Sequence, residues 1–99
     1  MTKFEFMHYR NEDKSSGATV AILPYLDNTA LLAISWCGPH DAFNKKIGRA
    51  VSSGRITAYL NKRAFMQYHV RVIDVPEGSI LKKVVAERLA NEMSEYGYK

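Results

Sequence analysis

Cysteine is almost absent. Cys37 stands alone in 99 residues, so the chain cannot close an internal disulfide. That usage fits a reducing compartment. No run of about 18 uncharged apolar residues occurs, which excludes a membrane-spanning helix. The opening MTKFEFMHYR carries Lys3 and Glu5 and lacks the apolar core of a secretory signal, so a cytoplasmic protein is expected. Internal repeats, linkers and low-complexity segments are missing too. Neither sign of charge dominates: Lys and Arg number 14 against 10 Asp and Glu, a net +4. The sequence pI of about 9.3 permits an anionic partner without requiring one. Ninety-nine residues suffice for one domain with one core.

What is present is hydrophobic patterning. KFEFMHYR (3–10) alternates Phe4, Phe6 and His8 with Lys3, Glu5, Met7 and Tyr9, the period of a strand. NEDKSSG (11–17) has no apolar residue and reads as a hairpin loop. ATVAILPYL (18–26) is a second strand, with Pro24 at its end or edge. Asp27 and Asn28 form a turn pair. TALLAISWC (29–37) is apolar on both faces and is expected to be the most buried strand.

Gly38 and Pro39 then stop the sheet. A helix follows, capped by Asp41 or by a residue just before Pro39. At 100° per residue, Phe43, Ile47, Ala50, Val51, Gly54 and Ala58 fall in one apolar sector. Lys45, Lys46, Arg49 and Ser53 fall opposite. Gly54 is expected to end the helix, leaving RITAYLNKR (55–63) as a separate turn or loop. AFMQYHVRVIDV (64–75) is a fourth strand with one wetter face. Asp74 with Glu77, or Ser79 alone, caps a last helix with the stripe Leu81, Val84, Val85, Leu89 and Met93. The order β-β-β-α-β-α predicts an α+β fold. Its mixed, mainly antiparallel sheet of about four strands carries two helices on one face. A right-handed crossover through the first helix would set strands three and four parallel.

Three constellations bear on chemistry. Cys37, His40 and Asp41 suggest a thiol with a nearby base, but a spacing of three does not make a catalytic pair. A strand end, a loop histidine and a cap are the favoured explanation. His8, His40 and His69 with Cys37 lack CxxC, HxxxH or HExxH spacing, so no metal site and no cofactor are expected. Third is the CGPHD junction and the basic helix face after it. A helix N-terminus with Lys45, Lys46 and Arg49 can hold phosphate, with Ser52 and Ser53 donating and Trp36, Phe43, Tyr59 or Tyr68 stacking on a base. GRAVSSGR is not a P-loop, because it lacks the terminal Lys-Ser/Thr. The plain alternative is a solvated basic face over a core. Arg55 points away from Lys45 and Lys46. It can satisfy helix-end carbonyls, reach a neighbouring subunit or meet a ligand.

CGPHDAFNKKIGRAVSSGR resembles a pattern of small phage and prophage proteins, C-x-P-x-D-x-F-x-[RK]-K-x-G-R-x-x-x-x-G-R. It is carried by Cys37, Pro39, Asp41, Phe43, Lys45, Lys46, Gly48, Arg49, Gly54 and Arg55, about a fifth of the chain. The resemblance implies an accessory protein made during infection. By looser analogy the chain is similar to the anti-Thoeris sponges, small non-enzymatic oligomers that enclose nucleotide immune signals. The expectation is therefore a homo-oligomer, not an enzyme, that sequesters a small phosphorylated nucleotide. Its candidate ligand residues are Trp36, His40, Lys45, Lys46, Arg49, Ser53 and Arg55. The alternatives are grip on a DNA or RNA backbone, which must fall steeply with salt, and docking on a host protein.

Overall fold

β2 and β3 set the architecture, because neither has a polar face. In a computed structural model that describes residues 3–10, 16–37, 44–62 and 69–95, strands β1 (Glu5–Arg10), β2 (Gly17–Pro24), β3 (Thr29–Cys37) and β4 (Val70–Asp74) form one sheet in the order β1-β2-β3-β4. Helix α1 (Lys45–Leu60) follows β3, and α2 (Leu81–Glu95) follows β4. The α+β class and the four-strand sheet are those the patterning predicts. All three strand pairs are antiparallel, including β3 with β4, so the expected parallel crossover does not occur.

The helices lie on opposite faces of the sheet, not on one. Ala18, Val20, Ile22, Ala30, Leu32, Ile34 and Ile73 pack with Val85, Leu89 and Met93 of α2. The alternate residues Ala21, Leu23, Leu31, Ala33 and Val70 pack with Ile56 of α1. The reason is the pleat: successive side chains point to opposite faces, so a strand that is apolar throughout needs cover on both. β2 is buried from Gly17 to Leu23. The turn at Asp27 and Asn28 forms as read: Asn28 takes φ 55°, and the Thr29 amide and hydroxyl donate to the Leu26 carbonyl at 2.8 and 2.6 Å.

α1 departs from its expected register. It runs unbroken for 16 residues through Gly54, with Asn44 as its N-cap. The Asn44 side chain accepts from the Ile47 amide at 3.1 Å. Asp41, the expected cap, lies outside the described residues. The buried stripe is Gly48, Ser52 and Ile56, whereas Ile47 and Val51 of the expected stripe are 60% and 39% exposed. Hydropathy misleads here because the contact selects size. A Cβ on Gly48 would lie 2.3 Å from Thr19 Oγ1 and 2.9 Å from Thr19 Cβ. The buried Ser52 hydroxyl donates to the Gly48 carbonyl at 2.7 Å.

A helix-interior glycine costs about 1 kcal/mol relative to alanine. Burying an isoleucine such as Ile56 returns about 1.5–3 kcal/mol, so the helix continues past Gly54. It ends where Lys62 turns to φ 60° and donates to the Tyr59 carbonyl. α2 buries its expected stripe. Its expected caps fail, because Asp74 ends β4 and the helix starts two residues beyond Ser79. Within the expected strand 64–75, residues 64–68 lie outside the described set.

The two glycines must respond oppositely to alanine. Gly48→Ala should lose about 1–3 kcal/mol in urea denaturation, as overpacking does. Gly54→Ala, with nothing within 4 Å of its Cβ position, should gain up to about 1 kcal/mol.

Candidate functional site

The fold divides the candidate residues between two places. Every second residue of β3 from Leu32 to Trp36 points to the α2 side, as does Arg71 of β4. These residues, with Arg55 of α1 and His69 just before β4, line a concavity of about 260 Å³. Leu32 and Ile34 are buried and give it an apolar floor, while Trp36 is 44% exposed. Two guanidinium groups and an imidazole complete it.

Arg55 joins this group from the opposite face of the sheet. Its Nη1 donates to the Ile34 carbonyl. That carbonyl lies one residue beyond the last β3–β4 pair, Ala33 with Val70. The guanidinium therefore satisfies a strand carbonyl, not the carbonyls at the end of its own helix, and keeps further donors for a ligand. Arg71 is held differently. Its Nη1 and Nη2 donate to the two carboxylate oxygens of Glu92 at 2.5 and 2.6 Å, a bidentate pair that ties β4 to α2. Glu92 keeps the Arg71 pKa raised, and Arg71 holds the Glu92 carboxyl below its usual range. With side-chain exposures of 50% and 27%, the pair is worth little in stability, and its use is in positioning.

Lys45, Lys46 and Arg49 stand elsewhere. All three are exposed on α1, and none forms an ion pair among the described residues. Lys45 and Arg49 lie together on one side of Gly48, which meets Thr19 of β2, and their charges act on His8 of β1. Thr19 Oγ1 is 3.0 Å from His8 Nδ1, and the two share a hydrogen bond between paired strand residues. Ser53 spends its hydroxyl proton on the Arg49 carbonyl at 2.6 Å. Tyr59 packs on the core and is no stacking platform. His40, Asp41, Phe43 and Tyr68 lie outside the described residues. So does any test of the Cys37–His40–Asp41 grouping; Cys37 is half-buried. His8 and His69 are not neighbours, because β1 and β4 are the two outer strands. Among the described residues no three His, Cys, Asp or Glu side chains meet at a possible metal site.

Sequence reasoning placed Trp36 and Arg55 among the ligand residues but passed over Arg71, and weighed His69 only as a metal ligand. Alternation in 69–73 carries a signal for both, since His69 and Arg71 share the phase of the buried Ile73. No protein family, curated protein or solved structure matches this chain. No helix among the described residues is long and apolar enough to cross a membrane.

The cations around His8 generate a pH prediction. Burial, then Lys45, Arg49 and Lys82, lower its pKa from the usual 6.5. Between that lowered value and 6.5 the unfolded chain takes up a proton that the folded chain refuses. Stability should thus be full above pH 6.5 and fall as pH drops through the window. His8→Gln should flatten that part of the profile in denaturation curves from pH 7.5 to 5. An unchanged slope contradicts the assignment.

Proposed function

We propose that this chain is a non-enzymatic binding protein that captures a small phosphorylated nucleotide in the concavity around Trp36. One observation carries the reading: Trp36, Arg55, His69 and Arg71 converge over an apolar floor. The base stacks on the indole, and the phosphate meets the guanidinium of Arg55, with Arg71 and His69 beside it. The volume of about 260 Å³ is below the roughly 300–1,000 Å³ of pockets that enclose whole drug-sized ligands. One nucleotide unit is the natural occupant, and a second copy of the chain closes the open side. This agrees with the sequestration role that the looser analogy to anti-Thoeris sponges implies, for an accessory protein in the cytoplasm of an infected host. Binding proceeds without turnover.

A thermal-shift panel of mononucleotides, cyclic nucleotides, duplex DNA, single-stranded DNA and RNA tests this. A ligand that binds only the native state raises the melting temperature by mass action. One class of small nucleotide should raise it at moderate salt. Trp36→Ala should weaken that ligand by about tenfold or more, since a stacked base is worth about 1–3 kcal/mol. A shift with polynucleotides alone, lost at moderate salt, moves the function to the exposed face of α1. Absence of any shift rejects nucleotide capture and leaves a protein target.

A further inference from the structure

The concavity leaves three cations unused. Lys45 and Arg49 are one helical turn apart on α1, side by side on the surface. Both lie on one side of Gly48, whose close approach to Thr19 seats that turn of the helix on β2. Thr19 in turn bonds His8 on β1. The Lys82 charge, on α2, acts on the same histidine. Two helices on opposite faces thus bring positive charge to one edge of the sheet, and no acidic side chain among the described residues pairs with Lys45, Arg49 or Lys82. The one ion pair among those residues, Arg71 with Glu92, belongs to β4, at the other edge.

We propose that Lys45, Arg49 and Lys82, with His8 at their centre, form a second anion site that takes a phosphate group at the β1 edge. The chemistry favours phosphate. A planar guanidinium grips two oxygens of a tetrahedral anion, and ammonium groups on either side match its remaining charge. Occupation relieves repulsion among cations that the fold already holds together. The site is independent of the Trp36 concavity, and either can fail without the other.

His8 is the reporter. Its neighbours are Lys45 and Arg49 from α1, Thr19 from β2 and Lys82 from α2, so a bound anion must favour its protonated form. Proton NMR titration of the histidine ring signals tests the site, with inorganic phosphate compared against chloride at matched ionic strength. His8→Gln identifies the His8 resonance. Phosphate should move the His8 titration to higher pH, whereas chloride should not. In Lys45→Gln/Arg49→Gln the difference between the two salts should vanish. Lys46→Gln, outside the set of charges that act on His8, should keep it. Lys45, Lys46 and Arg49 are exposed, His8 is half-buried, and a thermal melt confirms that each variant folds. Equal His8 titrations in phosphate and chloride overturn the proposal. So does a phosphate effect that survives the double substitution, or one confined to His69.

Discussion

The fit of Gly48 against Thr19 governs the placement of α1. Any larger residue at 48 would meet the Thr19 side chain, so the helix sits on β2 through its smallest surface. That contact fixes the roll of the helix as well as its height. Residues seven apart on an α-helix differ by only about 20° in azimuth. Arg55 therefore leaves α1 on nearly the same side as Gly48. With Gly48 held on β2, Arg55 is carried to the edge of β3, where it meets the Ile34 carbonyl. The same contact sets Lys45 and Arg49 over His8. One packing choice thus sets the positions of Arg55, Lys45 and Arg49 together.

The strands were legible in the sequence because burial and alternation act at short range. β3 was read at its exact limits, and the turn at Asp27 and Asn28 was read from its residue types. Apolar character on both faces of β2 and β3 also implies cover on both faces. Two helices on one face would leave the other apolar face bare. α1 was read in the wrong register for a different reason. Its buried side carries Gly48 and Ser52, which hydropathy does not mark as core, and its exposed side carries Ile47 and Val51. Only the shape of the sheet beneath, with Thr19 at the point of contact, decides between the two stripes.

The candidate site was legible in part. Trp36 and Arg55 were singled out, yet nineteen positions separate them, and only the antiparallel β3–β4 pair brings His69 and Arg71 to join them. The basic face of α1 was visible as charge spacing, but its relation to His8 depends on strand register. Arg71 also shows how the fold grades its cations. Glu92 holds it in place and takes part of its charge, whereas Arg55 spends one donor on a backbone carbonyl and keeps its charge whole. The two groups offer an incoming anion different strengths within one small concavity.

The most direct test uses Trp36, the only tryptophan in the chain. Its emission should be quenched by the nucleotide to saturation at one ligand per chain. Arg55→Gln should abolish the quench while leaving the far-ultraviolet circular dichroism unchanged, because α1 is seated by Gly48 and Ile56. A nucleotide that binds by calorimetry yet leaves Trp36 emission unchanged would contradict the account. A quench that persists in Arg55→Gln would contradict it equally.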